Sequence, residues 1–465
     1  MTDVHDLLAR THDALARAEA PLDATRHDDV LSGIRRRRRR RHAGEVLGVG
    51  AVVVALGAGG WLGLERDGAP QPAQRPTTTA TPTGAATPDP DAGRAPALDA
   101  PGLAPALVMP PGTLEAATPG WVLTTQRPSY FSGDPVAASA PSAHVLDLVS
   151  PAGERYRVLD LPNDRWVSVV RWEAGSTQAL VTTSEKGDNR VATLDLLTGG
   201  MTLLDGLTGG IEHVGRTGDG LDLWSSYDDD DVLVHDGQRV VRRLPAVRDG
   251  VLDRSGALLA GTGPAPGADA GDGDPGSPLV VDVATGGVTV VPAPADDTCV
   301  PFGWSGTEVL LTCWEITPEG PRSTGSLRYD TATPGVAPRT LAVEGDIEGP
   351  LGRGVELADG RVVVGGDPFL ECTAAWGVVD PAAGTFTRGP EPPAGRIPLS
   401  VDAIDGAAYV TTGTQCTGDG GPVDLHRVDL ATGATVLLSG LPDTTDLPPD
   451  ASWISTMTSW TVGTP

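Results

Sequence analysis

An aspartate recurs seven times at nearly even intervals, each time closing a short apolar run just before a turn. The positions are Asp147, Asp195, Asp236, Asp282, Asp330, Asp380 and Asp429, spaced 41 to 50 residues apart. After four of them a glycine stands at the fourth position, as in Asp282-Val-Ala-Thr-Gly286 and Asp429-Leu-Ala-Thr-Gly433. A period of about 40–50 residues, filled with short strands rather than helices, is that of a β-propeller whose blades are the repeats. The expected fold is all-β, a seven-bladed propeller. Propellers host binding and catalysis alike, so the fold alone names no ligand.

Each period resolves into four apolar runs bounded by Gly, Pro, Asp or Ser, the pattern of antiparallel strands. The second repeat reads as Trp166 to Trp172, Ala179 to Thr183, Val191 to Asp195 and Met201 to Leu204. Its last two runs close a tight hairpin in which glycine supplies the positive φ and the aspartate is expected to bond the turn backbone. The first repeat offers only Trp121 to Thr125, His144 to Asp147 and Tyr156 to Leu159, and lacks an innermost strand. A spare run, Ser452 to Thr458, follows the seventh hairpin. Pairing that run into the first blade closes the ring and removes its exposed edges.

Charge is unevenly distributed. The net charge of -27 argues against nucleic acid as a partner, since phosphate binding needs clustered cations. Yet Arg35 to Arg41 form an unbroken basic run. The apolar stretch Val46 to Leu64 follows it, long enough to cross the ~30 Å hydrocarbon core as a helix. The positive-inside bias places the segment before it in the cytoplasm. A cleaved signal peptide fits poorly, because about forty residues precede the apolar segment and no small-residue cleavage site follows it. A buried core helix is the other competing reading. The sequence thus predicts a single-pass protein of the cell membrane in four parts. Residues 1–42 are a cytoplasmic helical segment with the arginine run, 43–64 the transmembrane helix, 65–105 a Pro/Thr/Ala-rich stalk, and 106–465 the extracellular propeller.

In the cytoplasmic segment Val4, Leu7, Leu8 and Leu15 fall near one helical face and are expected to contact a cytoplasmic regulatory protein. A second short helix is expected from Asp28 to Ile34, and two helices this short bury no core of their own. The stalk composition, as in Pro76-Thr-Thr-Thr-Ala-Thr-Pro-Thr-Gly84, keeps the chain extended and lifts the outer domain off the membrane.

All four cysteines, Cys299, Cys313, Cys372 and Cys416, lie on the expected outer side, where an oxidising compartment lets them pair. Three connectivities exist. Cys299 with Cys313 is preferred because the intervening run reads as a hairpin with its ends side by side, which leaves Cys372 with Cys416. A zinc site is the competing reading, weakened by the absence of any C-x-x-C pair.

The longer insertions collect between second and third strands, on one face: 128–142, 228–231, 263–277, 368–373 and 413–422. Loops on a rigid frame are where function concentrates, so the binding surface is expected on that face. Two of these loops are acidic. Asp228, Asp229, Asp230 and Asp231, and separately Asp269, Asp272 and Asp274, carry the chemistry of a calcium site, with solvated acidic turns as the competing reading. No other cofactor is expected.

Catalytic motifs are absent. Gly303-Trp-Ser305-Gly306 lacks the spacing of a nucleophile elbow, and no metalloprotease, P-loop or dinucleotide signature occurs. His144, His235 and His426 fall in third strands and His213 in a first strand, where an isolated histidine is usually a packed or surface residue.

On the Asp-x-x-Thr-Gly hairpins between Asp147 and Gly433, the outer domain resembles WD40-like and TolB-like propellers. The order of helical leader, arginine block, anchor and outer propeller resembles that of actinobacterial single-pass proteins, some of them membrane-bound anti-sigma regulators. The membrane topology and the missing catalytic constellation lead to the expectation of a non-enzymatic binding or sensing protein with an extracytoplasmic protein or glycan ligand. The alternative is an extracytoplasmic hydrolase or lyase on a propeller frame, which predicts convergent acidic and histidine side chains at the central channel.

Overall fold

The computed structural model describes residue 103 and residues 105–464, except 132–143, 163–164, 186–187, 227–230, 266–275, 295–296, 318–319, 343–350, 366–374, 394, 405, 414–422 and 441–451. The described chain forms seven antiparallel sheets in sequence order, the blades of a seven-bladed propeller. The expected leader, arginine run and transmembrane helix, and all of the stalk but residues 103 and 105, fall outside the described residues. No described helix is long and apolar enough to cross a membrane.

Blade 2 shows the unit: Trp166–Trp172, Gln178–Glu185, Asp188–Asp195 and Met201–Thr208 pair in that order from the axis outward. Blade 1 borrows its innermost strand from the far end of the chain. Ser452–Val462 pairs antiparallel with Val122–Phe131, which continues through Val145–Val149 to Arg155–Asp160. The expected closure of the ring is therefore observed. A short strand, Leu107–Val108, adds parallel to the outer edge of this blade and covers it.

The core is distributed over the seven faces between neighbouring blades. Blades 1 and 2 share Leu123, Leu146, Val169 and Trp172, blades 4 and 5 share Val251, Val280 and Trp304, and blades 7 and 1 share Tyr409, Leu425, Val122 and Val462. Each blade is thus apolar on both faces, because each face covers a neighbour. Tyr409 Oη donates to the Gly120 carbonyl at 2.9 Å and Trp304 Nε1 to the Val251 carbonyl at 2.8 Å, so the buried aromatics also pair their polar ends.

Six of the recurring aspartates act as expected. Asp195 Oδ1 accepts the Leu197 and Thr198 amides, each at 2.9 Å, and Gly199 takes the positive φ of 74°. Asp236, Asp282, Asp330, Asp380 and Asp429 accept amides of their own turns in the same way. Asp147 departs from this pattern. It lies inside strand Val145–Val149, fully buried, and is held by arginines of the next strand: Arg157 Nε donates to Oδ1 at 2.7 Å and Arg155 Nη1 stands 3.6 Å from Oδ2. Ser150 occupies the turn instead, its Oγ accepting the Glu154 amide at 3.1 Å while Gly153 donates to its carbonyl at 2.9 Å.

Cys299 and Cys313 stand opposite one another on the two inner strands of blade 5 and form the expected disulfide. Cys372 and Cys416 lie outside the described residues.

Candidate functional site

The innermost strands of the blades face the axis, and charged side chains converge there. Arg171 lies near the end of the inner strand of blade 2. His213 and Arg216 lie on the inner strand of blade 3, Ile211–Arg216, and Asp222 opens the strand beside it, Asp222–Ser226. His213 Nε2 is 3.1 Å from Asp222 Oδ1, Arg171 Nε is 3.1 Å from the same oxygen, and Arg171 Nη2 donates to Oδ2 at 3.2 Å. Glu173 ties the group together across the blade boundary, accepting from Arg171 Nη1 at 2.8 Å and also from Arg216.

A β-bulge opens the inner strand of blade 3 at Val214, leaving its carbonyl outside the ladder. Arg353, two residues before the inner strand Val355–Glu356 of blade 6, donates a hydrogen bond to that carbonyl. Blades 3 and 6 are three steps apart in a ring of seven, so this side chain spans the channel. Its other nitrogen is 3.8 Å from Glu212. Asp402, on the inner strand Ile397–Ile404 of blade 7, completes the group.

These surroundings drive the ionisable groups apart. Burial holds the His213 imidazole below its ordinary 6.5 against the pull of Asp222, and Arg171 and Arg353 push the same way as burial. The Asp222 carboxyl is raised by burial, but His213, Arg171 and Arg216 outweigh it and leave the group below the usual carboxylate range. Asp402 keeps some solvent contact along the channel wall, yet protein surrounds its carboxyl. Burial there raises its pKa, opposed by the Ala403 amide and by Arg353. An imidazole held toward its neutral form and a carboxyl held toward its ionised form thus stand 3.1 Å apart, the setting in which proton transfer or ligand recognition is found.

The cluster sits toward the hairpins between first and second strands, at the end of the channel opposite the long loops. Those loops do lie between second and third strands, as expected, but most of their residues fall outside those described. Asp228, Asp229, Asp230, Asp269, Asp272 and Asp274 are among the latter. Asp231 is paired with Arg243 Nη1 at 3.1 Å. Among the described residues no three His, Cys, Asp or Glu side chains group as metal ligands. Val4, Leu7, Leu8 and Leu15 also lie outside the described residues.

The other histidines among the described residues are structural. His235 is buried, with Nε2 3.0 Å from the Asp205 carbonyl and Nδ1 accepting the Gly237 amide. His144 contacts the Pro162 carbonyl at 3.2 Å and His426 the Thr412 hydroxyl at 3.4 Å. Ser305 donates to the Gly360 carbonyl at 2.7 Å, so it links blades 5 and 6. His213 is packed as well, its ring edge-on to Trp224 at 4.9 Å between centroids, but it also pairs with Asp222. The available signal was Asp222, nine residues on, across a hairpin that folds the two together.

No protein-family model matches the chain, and no curated protein matches it. Among solved structures it is similar to a prolyl endopeptidase at 12% identity, covering 72% of this chain and 52% of that chain with a TM-score of 0.44. It is also similar to oligogalacturonate lyase from Vibrio parahaemolyticus at 11% identity (70% of this chain, 88% of that chain, TM-score 0.43). A third is TolB from Acinetobacter baumannii at 14% identity (72% and 67%, TM-score 0.34). The chain spans about half the length of the prolyl endopeptidase. Likeness at this level concerns the fold: the chain is a seven-bladed β-propeller with a charged channel centre. The expectation that it is not an enzyme is corrected here. An endopeptidase and a lyase stand among the proteins similar to it, and a missing sequence motif does not exclude chemistry assembled from separate blades.

Proposed function

We propose that the chain is a membrane-anchored extracytoplasmic propeller that binds its ligand at the charged centre of the channel. The supporting observation is the convergence of Arg353 with His213 and Asp222 from opposite sides of the ring. Of this group His213 and Asp222 are the largely buried members, and a buried polar pair departs from an apolar interior in the way that sites retained for function do. The anchoring rests on Val46 to Leu64 and on the arginines before it. In this reading Val4, Leu7, Leu8 and Leu15 meet a regulatory protein in the cytoplasm, and the ligand outside is a protein or glycan. The acidic loops at Asp228 to Asp231 and at Asp269, Asp272 and Asp274 offer calcium oxygen ligands. Cys372 and Cys416 pair in the same oxidising compartment as Cys299 and Cys313.

Alkaline extraction of membranes tests the anchor: the full-length chain stays in the pellet, and release into the supernatant removes the reading. A pull-down with the peptide Met1 to Ile34 tests the cytoplasmic contact. It returns one specific partner if signal passes inward, and nothing specific if the protein only binds outside.

The His213–Asp222 pair favours a second reading, an extracytoplasmic hydrolase or lyase in which neutral His213 takes up a proton and Asp222 orients it. Turnover of peptide or oligosaccharide substrates that His213→Asn abolishes establishes it. Turnover unchanged in that variant counts against this assignment.

A further inference from the structure

A cavity of about 320 Å³ lies at the opposite end of the ring from the charged centre, where blade 2 runs into blade 3. Its wall holds Trp166 at the start of one inner strand, Ser168, Ser184, Asn189 and Arg190 beside the turn between second and third strands, and the Gly209–Gly210 link. None of these residues takes part in the channel centre.

The Trp166 side is 40% exposed, a large aromatic surface left open at the mouth of a polar hollow. Its ring is fixed: Nε1 donates to Ser168 Oγ at 2.8 Å, and the Arg127 guanidinium lies 5.4 Å from the ring centroid. With its polar end already paired, the indole has only its apolar surface to offer. Around it stand hydroxyls and an amide, groups that both donate and accept. Thr183, also in the wall, has a buried hydroxyl without a hydrogen-bond partner. A flat apolar ring beside alternating donors and acceptors matches a pyranose, with its C–H face and its rim of hydroxyls. Arg190 is held by Asp188, with Nε and Nη2 each 2.8 Å from Oδ2, so its own charge is compensated. The net charge of -27 also disfavours an anionic ligand.

The geometry points to a saccharide-binding subsite here that takes a neutral pyranose unit, stacked on Trp166 and hydrogen-bonded by Ser184, Asn189 and Arg190. This goes beyond the binding reading above, on which it rests for the chain being a binding protein, by adding a second site away from the charged centre and naming its ligand class. Binding in solution does not depend on where the chain resides, so its failure and a failure of the anchor are seen separately.

The test is calorimetry on the full-length chain in detergent with cellobiose, chitobiose and cellobiouronic acid, which differs from cellobiose by one carboxylate. Expected are dissociation constants of about 1 mM for at least one neutral disaccharide and weaker binding of the acid. Trp166→Ala weakens that binding about tenfold or more with the unfolding temperature preserved, and Ser184→Ala weakens it severalfold. If Trp166→Ala fails to fold, Ser184→Ala together with Asn189→Ala carries the same expectation. No heat from either neutral sugar at about ten times that concentration, tighter binding of the acid, or unchanged affinity in the folded variants overturns the assignment.

Discussion

Arg155 in blade 1 donates from Nη2 to the Leu438 carbonyl in blade 7 at 3.1 Å, while its other nitrogen faces the buried carboxylate of Asp147. One guanidinium thereby joins the outer strands of the first and last blades, while Ser452–Val462 closes the ring at the inner edge of the same sheet. Burial pushes the Asp147 carboxyl up, and Arg155 and Arg157 pull it back.

Asp147→Asn leaves the buried Arg155 guanidinium without its counter-charge and leaves Arg157 with Asp160 alone. Breaking one side of such a group costs about 3–5 kcal/mol, to be read from chemical denaturation. A change of less than about 0.5 kcal/mol contradicts the account, since that is the range of surface substitutions.

Removing Ser452 to Pro465 strips blade 1 of its inner strand and exposes the edge of Val122–Phe131. Unpaired edges template association, so the shortened chain is expected to elute as aggregates in size-exclusion chromatography. A monomer with native circular dichroism contradicts it.

The disulfide between Cys299 and Cys313 closes a loop with a sequence separation of 14. Loop-closure entropy puts its contribution at about 3 kcal/mol. Replacing both cysteines by serine is expected to lower the unfolding temperature, and reductant is expected to have no further effect on that variant through this pair. An unchanged unfolding temperature in the double variant opposes this.

Acid is expected to weaken the fold through the turns. Backbone and threonine hydrogen bonds hold Asp195, Asp282 and Asp429 below the ordinary 3.8, so the unfolded chain takes up these protons first as pH falls. Their contribution is complete above the unfolded value and is lost as pH drops through the folded ones. His213, held below 6.5, subtracts stability as pH falls below that value, because only the unfolded imidazole is readily protonated. Asp402 acts in the opposite sense, since its raised value favours the folded state until pH climbs through it. Urea midpoints measured against pH are expected to fall first below about 6.5 and again below about 4, the second step shrinking in Asp195→Ala. A flat profile contradicts it.

In blade 2 the first strand and the ends beside the glycine turn were legible in the sequence, because alternation and glycine turns are local signals, while the third and fourth strands run three and four residues beyond the expected runs. The closure was legible too, as a repeat short of one strand and a strand without a repeat. Asp147 misled because its spacing matched the others while Ser150 held the turn, and a count of residues does not see which side of a strand a carboxylate faces. The channel centre was illegible for a different reason. His213, Asp222, Arg171 and Arg353 come from three blades, and only the closed ring brings them together.

The central claim, that the propeller stands outside the membrane, is tested most directly by labelling at a single introduced cysteine. Val336 is 59% exposed on the turn after the third strand of blade 5, and Val336→Cys displays a thiol there. On intact cells a membrane-impermeant maleimide is expected to modify this variant above the unsubstituted background, and permeabilisation is expected to add nothing. Modification only after permeabilisation contradicts the account.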